Sequence, residues 1–253
     1  MLPVSDALRA VAPDVAIRAA AVWSMRARAE LEAALRFERL VGRLQSVGAA
    51  GIVVEMSRTA AADERRHHVM CTELAARLAC TTETNAPVER QREPREVAPA
   101  SLPLRERVLY EVVALSCITE SLSAALLGEI VERADDPDVL ATARQVLRDE
   151  IEHGRLGWAH LAAEHARGDC GFLGAYLAAM LTGAVGDDLF SATVEDGTPV
   201  ERELECLGVL ARGTSADVFS AAMTTVVFPG LAKFGVDVSA GEQWMAERRD
   251  ARG

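Results

Sequence analysis

The chain has 253 residues, half of them apolar, and its 38 acidic and 27 basic side chains give a formal net charge of −11. A chain of this size buries roughly three-quarters of the surface that its unfolded form exposes, enough for one large core, so intrinsic disorder is excluded. An acidic chain without a basic block lacks the phosphate-neutralising charge that drives nucleic-acid binding, so no nucleic-acid partner is expected.

The composition favours good helix formers, and apolar residues recur at spacings of three and four. The first predicted helix runs from about Asp14 to Ser46 and stops at Gly48-Ala49-Ala50-Gly51. The second runs from about Ile52 to Ala79. Residues 81–103 carry four prolines and many charges and read as a long crossover linker. A third helix is expected from Leu104 to Ala134. Asp135-Asp136-Pro137-Asp138 then supplies turn and N-cap chemistry for a fourth, from Pro137 to Arg167. Residues 14–167 thus read as two helical hairpins joined by a crossover, an all-α four-helix bundle layout. Residues 168–253 read as a helical extension packed on that bundle, with helices near Phe172–Val185, Val200–Leu210 and Ala216–Lys233 and a short tail helix.

Two negative readings concern location. The sequence opens without the basic start and apolar run of a signal peptide, and the longest apolar stretch, Gly171 to Val185, falls short of the ~18–20 residues that span a bilayer. The five cysteines include no CxxC pair. Reduced thiols, a cytoplasmic location and no membrane association are the expectation.

The chemistry lies in two repeats of one pattern. The second helix contains Asp63-Glu64-Arg65-Arg66-His67 and the fourth contains Asp149-Glu150-Ile151-Glu152-His153. Positions i and i+3 share a helix face, so each pattern presents one carboxylate and one imidazole together. Two such pairs, with a glutamate from each of two other helices, make a dinuclear carboxylate metal site in a bundle core. The level of the groups tests this. Glu30 and Glu64 have their midpoint at residue 47, beside the first turn, and Glu120 and Glu150 have theirs at residue 135, inside the second. All four carboxylates therefore lie at one height. The stripes through them are apolar: Trp23, Phe37, Val41 and Leu44 with Glu30, Val53, Ala60, Cys71 and Leu74 with Glu64, and Val113, Leu127 and Val131 with Glu120. Four buried carboxylates at one level need cations to neutralise them. Glu32 shares a face with Arg36, Arg39 and Arg43 and reads as solvated; Glu38 is the reserve ligand on the first helix. His160, seven residues after His153, is either a ligand or proton relay or a core residue, and His68 and His165 read as exposed.

These residues carry a resemblance. Glu30, Glu64-x-x-His67, Glu120 and Glu150-x-x-His153, with the crossover between the hairpins, resemble the ferritin-like, non-haem di-iron carboxylate superfamily over about residues 20–165. The resemblance implies the bundle and makes those six residues the ligands of two iron ions, with manganese or a mixed pair as alternatives. It also implies that Asp63 and Asp149 each bond a ligand histidine of the other hairpin, as metal-bound imidazoles generally do with carboxylates. Cys71 lies one turn after His67, where radical-forming ribonucleotide reductase subunits carry a tyrosine and methane-monooxygenase-like hydroxylases a cysteine. That makes Cys71 a candidate catalytic residue; a small buried core residue is the plain alternative, and the same holds for Cys117.

The function expected is O2-dependent oxidation of a small organic substrate, an oxidase or monooxygenase reaction, with an external electron donor and a homodimer as further expectations. Small residues near the proposed site (Ala33, Ala34, Ser123 and Ala124) would leave room for substrate, with the linker and C-terminal helices as a roof. Iron handling without an organic substrate is the alternative. Rubrerythrin-type peroxide reduction fits less well without a four-cysteine site, and a metal-free binding module fits less well with all six ligands present.

Overall fold

Helix ends fall where local chemistry sets them. The computed structural model describes residues 11–80, 96–185, 189 and 198–250, and these are mostly helical, with no strand among them. Helix α1 (Pro13–Ser46) starts with proline at a position where its missing N–H costs nothing. It ends at Gly48, whose φ of +64° lets Ala49 N–H donate back to Leu44 O. Helix α2 (Gly51–Leu78) follows at once. Most of the crossover, residues 81–95, lies outside the described residues; 96–103 are non-helical. Helix α3 spans Leu104–Arg133 and α4 spans Pro137–His165. The Asp136 carboxylate caps α4, accepting from the N–H groups of Asp138 and Val139, and also accepts from Arg77 at the end of α2.

The four helices close a ring of contacts: α1 on α2, α2 on α4, α4 on α3 and α3 on α1. Trp23 and Phe37 of α1 are fully buried in two separate apolar clusters. The interior between them holds the charged residues described below.

Helix α3 is not a regular α-helix. Residues Val113–Thr119 form a π turn, in which Glu120 N–H donates to Leu115 O and Thr119 Oγ1 to Ala114 O, both five residues back. The extra residue changes the phase of the helix. Val113 therefore leaves the Glu120 stripe on which simple spacing placed it, and packs with the C-terminal helices, while Leu127 packs with Trp23. Gly157 of α4 lies against this turn. A Cβ there would sit 2.7 Å from Cys117 Sγ and 2.9 Å from Cys117 N, so the approach of the two backbones needs glycine.

The C-terminal part adds a 3-10 turn (Gly171–Tyr176), α5 (Leu177–Ala184), α6 (Pro199–Cys206), α7 (Arg212–Ala232, with a π turn at Met223–Val227) and α8 (Ser239–Asp250). Helix α6 packs Leu204 into the Trp23 cluster, whereas the other elements share one apolar cluster with the outer face of α3, through Phe219, Met223, Phe228 and Leu231 against Leu109, Val113 and Ile118. Helix α6 stops at Cys206, earlier than the sequence pattern indicated, because the chain turns at Gly208 (φ +76°) to let Leu207 O accept from the buried indole of Trp23. By length and composition α3 and α7 are apolar enough to cross a membrane, although the expectation from unbroken apolar runs was of no such segment. Each puts its apolar face into the shared cluster.

Candidate metal centre

The structure brings all six sequence-derived residues to one place. Glu30 comes from α1, Glu64 and His67 from α2, Glu120 from α3, and Glu150 and His153 from α4; none is more than 6% exposed. His67 Nδ1 lies 3.3 Å from Glu64 Oε2, 3.9 Å from Glu30 Oε2 and 4.0 Å from Glu150 Oε1. His153 Nδ1 lies 3.0 Å from Glu64 Oε1 and 3.3 Å from Glu150 Oε2.

The groups form two overlapping quartets. One is Glu30, Glu64, His67 and Glu150, the other Glu64, Glu120, Glu150 and His153, and within each quartet one donor atom per residue lies within 4.8 Å of the others. Glu64 and Glu150 belong to both. Glu30 with His67, and Glu120 with His153, belong to one each. These buried groups could hold metal ions.

Each imidazole turns its second nitrogen outward, to an aspartate of the other hairpin. His67 Nε2 meets Asp149 Oδ2 at 3.1 Å, and His153 Nε2 meets Asp63 Oδ2 at 3.5 Å. An N–H donated to a carboxylate at Nε2 leaves Nδ1 as the free lone pair facing the carboxylate cluster. Arg66 joins the two pairs, donating to Asp63 and to Asp149 at 2.8 Å each. Gln145 adds a further bond to Asp149 at 3.0 Å. Sequence reasoning missed Arg66, although its spacing of three from Asp63 was available.

The electrostatics show how strained the cluster is with protons alone. Burial and the neighbouring Glu64 and Glu150 push the Glu30 carboxyl well above the usual range, and burial with Glu150 and Glu64 does the same to Glu120. Burial opposes ionisation of Glu64, but His153 and His67 outweigh it and hold that group at about 2. Burial likewise opposes the charge on His153, yet Glu150 and Glu64 raise it to about 10; His67 is raised in the same way. Protons thus take the role of counter-charge on an excess of carboxylates.

The donor set fits a pair of cations. Glu120 Oε1 is buried with no hydrogen-bond partner, a costly state that a cation relieves. Carboxylate and imidazole donors suit iron and manganese. Ser123 Oγ donates to Glu150 Oε1 at 3.3 Å and steadies one shared carboxylate.

Glu32 is exposed and pairs with Arg36; Glu38 is exposed and pairs with Arg65, away from the cluster. Cys71 is fully buried in the apolar cluster of Trp23 and Leu74, and burial with nearby Glu30 pushes its thiol up to about 12. Cys117 is buried against Gly157, and burial raises its thiol too. His160 is 1% exposed, with a buried Nδ1 that has no hydrogen-bond partner, and belongs to neither quartet. His165 is exposed, as expected, but His68 is half-buried, because its Nδ1–H reaches Ala27 O at 2.7 Å on the neighbouring helix.

A pocket of about 280 Å³ lies between α1 (Arg36, Arg39, Leu40), α3 (Tyr110, Thr119) and α5 (Met180). Val97 of the crossover also lines it, so linker and C-terminal helices do contribute walls. The small residues Ala33, Ala34, Ser123 and Ala124 do not line it; Ala34 is fully buried and Ser123 bonds Glu150. None of the six residues lines it; Leu40 and Leu115 of its wall share an apolar cluster with Phe37, whose ring packs 5.5 Å from that of His153.

No known family model matches the chain, and no characterised protein or solved structure is significantly similar to it.

Proposed function

We propose that the chain is a ferritin-like non-haem di-iron oxidase or monooxygenase that uses O2 to oxidise a small organic substrate. One observation carries the reading: two four-residue ligand sets, buried in the bundle, share two carboxylates. Glu64 and Glu150 would bridge the ions, Glu30 and His67 would complete one, and Glu120 and His153 the other. Two ferrous ions held there would supply two electrons to dioxygen.

The protein's own residues do the rest. Asp149 and Asp63 fix the imidazoles so that Nδ1 faces inward, and Arg66 fixes the aspartates. The apolar clusters on either side of the charged layer exclude water from it. The pocket favours an organic substrate over plain iron oxidation, which needs none. A monooxygenation would draw its further electrons from an external donor.

Elemental analysis of iron-reconstituted protein, followed by mixing the anaerobic ferrous form with O2, tests the reading. About two irons per chain, with oxygen consumption and an optical change, is the expected result. Protein that binds no stoichiometric metal would overturn it. Catalytic turnover of ferrous ion, with no organic product from any substrate screened, would replace it by ferroxidase activity.

A further inference from the structure

The two ligand sets differ in how far their oxygens are satisfied. Glu120 Oε1 is buried with no hydrogen-bond partner, and Glu64 Oε1 lies 3.0 Å from His153 Nδ1 without the geometry of a hydrogen bond. Both oxygens belong to the quartet that contains His153. Glu30 has no oxygen in that state. A carboxylate oxygen buried without a donor carries the full cost of its lost hydration, and a cation placed among the ligands removes that cost. The gain on binding metal is therefore larger at the His153 position.

The opposite side already has a positive charge. Arg26 precedes Glu30 by one turn of α1, so the two side chains share a face. It is half-buried, with its guanidinium 5.4 Å from the centroid of the Trp23 ring. Burial, Glu64 and Glu150 raise the Glu30 carboxyl, and Arg26 opposes them. Burial and Glu30 raise the thiol of Cys71, one turn beyond His67, and Arg26 opposes them there too. The leading influences on Glu120, which are burial, Glu150, Glu64 and Glu30, all act in one direction. A fixed positive charge beside Glu30 repels a divalent ion held by Glu30 and His67, and the repulsion weakens with distance toward the His153 position. Hydrogen bonding to the imidazoles acts the other way, but by degree only: Asp149 lies 3.1 Å from His67, and Asp63 lies 3.5 Å from His153.

We propose that the two positions load in order: Glu64, Glu120, Glu150 and His153 take the first divalent cation, and Arg26 weakens the position completed by Glu30 and His67. The proposal rests on the two-metal part of the reading above and goes beyond it. The chain has a one-ion state with its ion on the His153 side, and the second position exchanges more readily with metal in solution.

The test is titration of the metal-free full chain with Mn2+, the free ion being read from the electron paramagnetic resonance signal of its aqua complex. Glu30→Gln and Glu120→Gln each leave one position intact, so repulsion between two bound ions does not enter. Glu30→Gln should bind its single ion at least about tenfold more tightly than Glu120→Gln. Arg26→Met keeps an apolar stem over Trp23. Added to Glu120→Gln it should tighten binding about tenfold, and added to Glu30→Gln it should change binding by less than about threefold. Arg26→Lys, which keeps the charge, should change neither. In the chain with all six ligands, Arg26→Met should tighten the second of two steps and leave the first as it was, with thermal melts of the metal-free variants confirming the fold. Equal affinities in the two glutamine variants, a tighter Glu120→Gln, or an Arg26→Met effect that is absent or the same at both positions would overturn the proposal and leave the two-metal reading standing. Binding of neither Mn2+ nor Fe2+ would overturn that reading, and the proposal with it.

Discussion

Shared and unshared carboxylates should respond differently to the same substitution. Replacing glutamate by glutamine keeps the shape and removes one unit of negative charge. In the structure Glu64 and Glu150 serve both ligand sets, whereas Glu30 and Glu120 serve one each, with donor atoms inside 4.8 Å of one another. A unit charge about 4 Å from a divalent ion, at an effective dielectric of about 20, attracts it by about 8 kcal/mol. Desolvation of the carboxylate offsets the larger part. A net loss of about 3 kcal/mol remains, more than a hundredfold in affinity. Glu64→Gln and Glu150→Gln should therefore weaken both ions, and Glu30→Gln or Glu120→Gln only one. The assay is metal stoichiometry at a free-metal concentration near ten times the wild-type Kd. The expected values are near zero for the shared pair and near one for the unshared pair. Four identical stoichiometries, or a Glu30→Gln protein that loses both ions, would refute the shared-ligand geometry.

Asp149→Asn should cost about 10- to 100-fold in metal affinity by competition titration, and more than Asp63→Asn, because the His67 contact is the closer of the two and Asp149 takes three donors. Arg66→Ala should weaken metal binding less than either ligand loss while folding normally; no change at all would remove it from the positioning network. Gly157→Val should destabilise by about 1–3 kcal/mol in chemical denaturation, since its Cβ would meet the backbone of Cys117; a wild-type midpoint would contradict the close approach. Burial depresses the His160 pKa from 6.5, while Glu164 opposes and Arg105 and Arg167 assist the shift. The folded state then binds fewer protons than the unfolded state below that value, so His160 destabilises metal-loaded protein as pH falls from about 6.5. His160→Gln should flatten the thermal-midpoint profile between pH 6.5 and 5, and an unaltered slope would assign the acid sensitivity elsewhere.

Much of the site was legible because its ingredients are local. Helical spacing alone places Glu64 with His67 and Glu150 with His153 on single faces. The glycine turn after Val47 and the Asp136 cap set the hairpin midpoints, so Glu30 falls level with Glu64 and Glu120 with Glu150. The same spacing failed at Val113, because the π turn inserts a residue of phase that no apolar count reveals. It also gave no sign of how Arg66 spans the two hairpins. Glu38 and Glu30 were separable only by which side chain faces the interior.

The sequence by itself determined where the four bundle helices begin and end, to within a residue or two, and which residues could meet at one height. Those outcomes follow from backbone caps, turn residues and a 3.6-residue repeat, all within a few residues of each other. Only the tertiary structure decided that Glu64 and Glu150 serve both ligand sets, that the aspartates cross to the opposite hairpin's histidine, and that Arg36 faces a pocket walled by α5. Each of these depends on contacts between segments tens of residues apart. Their geometry is set by how whole helices pack and where π turns shift their phase, and neither is encoded in any local stretch of chain.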